Sequence, residues 1–208
     1  SENAEAYALY LKAKNIYEKR ENTDDTEIAR GLLNKAIELD DDIIIAKNLL
    51  ALSYVETADY DMALNIYKLN IKQAEKNNDK ISLARSLNGT GNVKYYQGDY
   101  DKSLNYYTQS YKIREKIGDN KGMGSSMGNI GMIYKRRGEY DKALDYYTRS
   151  IQIYEKLGEK LWDKFNAPKN DQEWYYRSML NSFSHKPSIA HLDIYKEFRK
   201  LVKDFFDK

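Results

Sequence analysis

One stretch of this chain is written twice, and that constrains the fold more than anything in its composition. GNVKYYQGDYDKSLNYYTQSYKIREKIGD (Gly91–Asp119) returns as GMIYKRRGEYDKALDYYTRSIQIYEKLGE (Gly131–Glu159), with about half of the positions identical. The offset is constant at 40 residues: Gly98 falls on Gly138, Tyr100 on Tyr140, Tyr107 on Tyr147 and Gly118 on Gly158. A fixed period of this length marks a repeat architecture, because one unit cannot bury its apolar face alone and stacking against neighbours does so. Each copy reads as helix, tight turn, helix. The expected fold is all-α, a solenoid of antiparallel helix pairs.

The residue types inside the unit have physical reasons. Gly91 and Gly131 lie mid-way along the first helix (helix A), where glycine costs about 1 kcal/mol against alanine. That cost is tolerated where a neighbouring helix must approach closely. Gly98 and Gly138 end helix A, where a left-handed residue is wanted. Asp99 or Glu139, then Asp101 or Asp141, open the second helix (helix B) and complement its positive end. Ser103 and Ala143, then Tyr107 and Tyr147, recur at i and i+4 and are expected to pack back on helix A.

This pattern resembles the tetratricopeptide repeat in a 40-residue form. Met127, Ile130, Gly131, Tyr134, Gly138, Tyr140, Ala143 and Tyr147 fit the family pattern. The preceding copy departs from it at Thr90 and Lys94 and keeps the rest. The resemblance implies a right-handed superhelical solenoid, non-enzymatic and without a cofactor, that binds other proteins.

The same register extends towards the N-terminus. Leu50, Ala51, Tyr54, Tyr60, Ala63 and Tyr67 stand 40 residues earlier, with alanine for both glycines at Ala51 and Ala58. Before them, a helix over Ala4–Lys19 and another along EIARGLLNKAIELDDD form a first pair. Four helix pairs are thus expected over residues 4–158. The opening (AEAYALYLKAKNIYEKR, then LLNKAIELDDDIIIAKNLLALSY) is also similar to the repeats found downstream of bacterial class III adenylate/guanylate cyclase catalytic domains, with Ala13-Lys14 and Asp40-Asp41 departing from the usual pairs. That likeness implies a regulatory or dimerisation arm whose catalytic domain lies elsewhere in a longer protein. A start at Ser1 without Met agrees with a fragment.

From Lys160 the period fails, and Pro168 sits where the next helix A would run. Residues 159–208 are expected to hold non-repeat helices. One spans Asp171–Phe183. A second spans Ser188–Asp207, after Pro187, with Ile189, Leu192, Tyr195, Phe198, Leu201, Val202 and Phe205 at 3–4 spacing. Two roles stand open: a cap over the last repeat, or a homodimer or interdomain interface.

Several function classes are excluded by what is missing. Charged residues make up 32% of the chain but leave a formal charge of only +2, too little for a nucleic-acid surface. Without cysteine there is no disulfide framework and no thiolate metal site. No apolar run reaches the roughly 18 residues of a membrane span, and no signal peptide opens the chain, so a cytoplasmic location is expected. His185 and His191 match no zinc spacing. GDNKGMG (Gly118–Gly124) lacks the Lys-Ser ending of a phosphate loop and follows no strand. Asp40–Asp42 lacks calcium-loop spacing and reads as a solvated loop. Lys135-Arg136-Arg137 reads first as cations at a helix C-terminus. No catalytic or metal-binding residue is nominated.

Binding residues are expected on helix A, which lines the concave surface in the family. Carrying those positions over gives Lys47, Asn48 and Leu52, then Arg85, Asn88, Asn92, Tyr95 and Tyr96, then Ser125, Asn129, Met132, Lys135 and Arg136. Asn88 and Asn92 are one turn apart, and an amide both donates and accepts, which suits a peptide backbone. The basic flank of Arg85, Lys135 and Arg136 favours an acidic protein or peptide segment. Most of the twenty tyrosines fall at core positions; Tyr95 and Tyr96 are better placed for exposure.

Overall fold

A computed structural model describes residues 2–157, 177, 180–181 and 193–206. The chain divides into two compact units, Ser1–Ile113 and Arg114–Lys208. The first unit carries α1 (Glu2–Lys19), α2 (Thr23–Leu39), α3 (Ile44–Glu56), α4 (Tyr60–Lys76), α5 (Lys80–Tyr96) and most of α6 (Tyr100–Ile117). The second carries the end of α6, then α7 (Asn120–Arg136), α8 (Tyr140–Lys156) and α9 (Asp193–Phe206). Among the described residues there is no strand, and no helix long and apolar enough to cross a membrane.

From α4 to α8 the helices begin every 20 residues, and each junction is built alike. Gly98, Gly118 and Gly138 sit at φ +78°, +70° and +77°. The next residue's N–H then donates back across the turn: Asp99 to Lys94 O (2.9 Å), Asp119 to Arg114 O (2.9 Å), Glu139 to Tyr134 O (2.9 Å). This is the Schellman closure, which satisfies carbonyls left over at the helix end. Ala58 and Asn78 take the same left-handed conformation, at φ 60° and 54°, without being glycine. One residue on, an aspartate caps the new helix. Asp59 accepts from Met62 N, Asp79 from Ser82 N, Asp99 from Lys102 N and Asp119 from Gly122 N, at 3.3, 3.0, 3.2 and 2.9 Å. Each supplies an acceptor for a donor that the first turn cannot satisfy itself.

Helix A and helix B meet through glycine and tyrosine. A Cβ on Gly91 would lie 2.7 Å from the Tyr107 ring, and one on Gly131 would lie 2.9 Å from Tyr147 and 3.2 Å from the Ala143 carbonyl oxygen. Gly89 makes the same accommodation for Tyr67, and Gly124 for Tyr154. Ser103 adds a hydrogen bond from Oγ to Gly91 O (2.8 Å). The close approach expected at Gly91 and Gly131 is what the packing shows.

In the first unit, Ala6, Tyr10, Ala13, Leu33, Ala36, Ala46 and Leu50 form one buried cluster joining α1, α2 and α3. Arg30, unremarked in the sequence, is buried there with every arm engaged. Its Nε donates to Ser53 Oγ (2.9 Å) and its Nη2 to Ser53 O (2.8 Å) and Thr57 Oγ1 (2.7 Å), while its plane covers the Tyr54 ring at 4.2 Å. In the second unit, Ile130, Ile133, Leu144, Tyr147 and Ile151 are buried. There α9 lays Tyr195, Phe198 and Val202 inward, with Phe198 6.1 Å from the Tyr147 ring and Gln152 Nε2 donating to Glu197 Oε1 (3.3 Å). The expected helix over Asp171–Phe183 falls outside the described residues, except that Arg177, Leu180 and Asn181 are helical. Pro168, Pro187 and both histidines also fall outside them.

Candidate functional site

Helix A of successive pairs comes side by side within the first unit. Helix α3 packs directly on α5, and Ser86 Oγ donates to Asn48 Oδ1 at 2.8 Å. On α1, Tyr10 and Ala13 share the buried cluster with Ala46 and Leu50 of α3. Arg85 on α5 reaches the same place: burial pushes the Tyr10 phenol up, and the Arg85 guanidinium pulls it back. Along α5 the residues Ile81, Arg85, Asn88, Asn92 and Tyr96 recur at 3–4 spacing and form one stripe. Ile81, Arg85 and Tyr96 are exposed, and Asn88 and Asn92 are half-buried.

The candidates of this unit divide into those that face outward and those tied within. Lys47 is held by Asp41 (Nζ to Oδ1, 2.7 Å) and by Gln73 Oε1 (3.0 Å), which leaves its side chain 12% exposed. Asn48 Oδ1 accepts from both Ser86 Oγ and Asn70 Nδ2 (3.2 Å), while its own Nδ2 is buried without an acceptor. Asn92 Oδ1 accepts from the Tyr107 hydroxyl at 2.8 Å. These are internal contacts between helices, and helical position alone does not reveal them. Asn48, Asn88, Asn92 and Asn129 do not form one row in the repeat register. Asn48 and Asn88 are 40 residues apart, but Asn129 is in register with Gly89, and the row continues at Gly128.

In the second unit the candidates lie on α7. Asn129 and Met132 are half-buried, as is Lys135, while Arg136 is exposed at the helix end. Burial first, then Arg136 beside it, holds the Lys135 ammonium below the usual lysine range. Cations in this last turn suit the negative end of the helix.

Tyr95 and Tyr96 belong to a cluster of four rings. Tyr96 stacks on Tyr60 with centroids 6.2 Å apart and planes at 4°, and Tyr95 meets it edge-on at 5.5 Å and 77°. Tyr100 tilts against Tyr95 at 5.6 Å. Burial, then Tyr95, Tyr60 and Glu56, raise the Tyr96 phenol. The sequence signal lay in the period: Tyr60 and Tyr100 open equivalent B helices, and α5 ends in two adjacent tyrosines. Among the described residues, no group of His, Asp and Glu is placed to hold a metal ion.

Paired helices with repeated junctions, and a stripe of amides and cations, define a helical-repeat scaffold. Such a scaffold offers a surface to other proteins. The chain belongs to the tetratricopeptide repeat family, whose profile matches residues 42–116 and 91–156. No curated protein sequence matches it. Among solved structures it is similar to the apo form of RapI, at 14% identity over 98% of this chain and 84% of that one (TM-score 0.68). It is also similar to MamA, at 20% identity over 74% and 80% (TM-score 0.53). A third is a signal-transduction ATPase with numerous domains (STAND) from Pyrococcus horikoshii that has a tetratricopeptide repeat sensor, at 21% identity and TM-score 0.72. That likeness covers 97% of this chain but 29% of the ATPase. At these identities the structures establish the fold.

Proposed function

We propose that the helix A faces are the binding surface of this scaffold, and that they take an extended or helical segment of another protein bearing acidic side chains. Arg85 carries this reading. It is an exposed cation in one stripe with the amides of Asn88 and Asn92, and its charge acts on the Tyr10 phenol of α1. Met132, Lys135 and Arg136, with Asn129, supply an apolar and basic surface on α7. Lys47 and Asn48 act as supports for the face, since their polar atoms are engaged within it.

Selection of peptides from a random displayed library tests the proposal. Selected sequences should be rich in Asp and Glu. Arg85→Ala with Asn88→Ala should weaken them on the order of ten-fold or more, since a hydrogen bond to a charged partner contributes about 1.5–3 kcal/mol. Lys68→Ala, on α4, should leave them unchanged. Peptides that lose affinity with Lys68→Ala and keep it with Arg85→Ala would place the site elsewhere.

A second reading makes the array the regulatory or dimerisation arm of a larger signalling protein, cyclase-like or otherwise. The likeness to the STAND ATPase supports it, because there the comparable array is a sensor within a longer chain. For the C-terminus we propose a cap: Tyr195, Phe198 and Val202 are buried against the last repeat helix of this same chain.

A further inference from the structure

Tyrosine rings in this protein are repeatedly covered by one of its own cations. Arg20 lies over Tyr17 at 4.1 Å from the centroid, Arg30 over Tyr54 at 4.2 Å, Lys142 over Tyr134 at 5.2 Å and Arg149 over Tyr146 at 5.6 Å. Tyr96 is among the rings without such a cation. It is 60% exposed, more than any other aromatic side chain among the described residues, and none of their cations lies over it. One ring face is stacked on Tyr60 and its edge meets Tyr95, so the ring is fixed by its neighbours.

The surroundings are acidic. Glu56 is close enough to act on the Tyr96 phenol, and Asp59 and Asp61 flank Tyr60. Glu56 is engaged by Arg20 (2.6 Å) and Asp59 caps α4, whereas Asp61 is exposed. The negative face of a tyrosine ring attracts a cation. Guanidinium suits it best, being planar and weakly hydrated. In the repeat register, position 96 corresponds to Glu56 and Arg136, so only this repeat puts a ring there.

We propose that the Tyr60–Tyr96 stack is a docking site for an arginine side chain of a partner protein, with Asp61 setting the preference for positive charge. The proposal rests on the scaffold reading and adds to it a contact of opposite sign from that at Arg85. A partner segment carrying both an acidic and an arginine residue would then engage this unit at two points.

The test is an NMR titration of the full chain with blocked tripeptides Gly-Arg-Gly, Gly-Leu-Gly and Gly-Glu-Gly, following the tyrosine ring signals. The arginine peptide should shift Tyr60 and Tyr96 with a dissociation constant of millimolar order or weaker, and the other two should not. Tyr96→Ala should abolish the shifts and Tyr96→Phe should keep them. Asp61→Asn should weaken binding by about two- to five-fold, as for an exposed charge pair. Equal shifts with the leucine peptide would make the patch merely apolar and overturn the proposal, as would arginine binding that survives both Tyr96→Ala and Tyr60→Ala. If arginine fails here while acidic peptides still bind through Arg85, this inference alone falls; if both fail, the scaffold surface itself is wrongly placed.

Discussion

At the scale of the residue, the same amino acid has opposite value at different sites. Gly31 lies on the exposed face of α2 with nothing within 4 Å of a would-be Cβ, so Gly31→Ala should stabilise by about 1 kcal/mol through helix propensity. Gly131 lies against Tyr147 and the Ala143 carbonyl, so Gly131→Leu should destabilise by roughly 1–3 kcal/mol or more despite leucine's better propensity. Thermal melts of the two variants should therefore move in opposite directions; a rise for Gly131→Leu would sink the close-approach account. Ala58 gives a third case. It is held at φ 60°, a conformation that costs an L-residue roughly 1–2 kcal/mol, and Ala58→Gly should raise the melting temperature by about 2–4 °C. Of this the sequence shows much: Gly91, Gly98, Gly131 and Gly138 are legible because the period aligns them. Arg30, Lys47 and Asn48 are not, because each has partners on other helices, 22 to 38 residues away, that no local pattern announces. The candidate face was thus readable as a set of helical positions. Which polar atoms on it are already engaged became visible only in three dimensions.

At the scale of the element, α9 is the informative case. Its stripe was readable because 3–4 spacing of large apolar residues needs no partner to be recognised. The surface it covers was not, since the repeat period had ended and gave no register to carry forward. Phe198 is fully buried beside Tyr147, and truncating such a side chain typically costs about 3–5 kcal/mol. Phe198→Ala should accelerate amide hydrogen exchange in α8 and α9 while leaving α1–α4 unchanged, as expected where each element depends on its neighbours. Unchanged protection of α8 would show that the helix needs no cap.

At the scale of the whole molecule, buried phenols link stability to alkaline pH. Burial raises Tyr17, Tyr67 and Tyr107 well above the ordinary value of 10.0, and pushes Tyr154 up to about 12. The folded protein keeps these protons where the unfolded chain would release them. Stability is therefore whole below pH 10 and falls as pH rises through and beyond 12, by about 3 kcal/mol for the Tyr154 shift alone. Phenolate absorbance against pH should show a late class of buried phenols that appears together with loss of helical circular dichroism. Smooth titration of all tyrosines near pH 10 with the helices intact would contradict this.

The uniform junctions have a consequence for how such a chain can change over generations. Every boundary from α4 to α8 pairs a left-handed residue with an acidic one, at a spacing of 20. Unequal recombination between two such junctions 40 residues apart would add or remove a whole helix pair, with both cut ends already able to stop one helix and start the next. The length of the array is then open to inheritance in steps of one pair, and the extent of the candidate face can change without redesign of the turns.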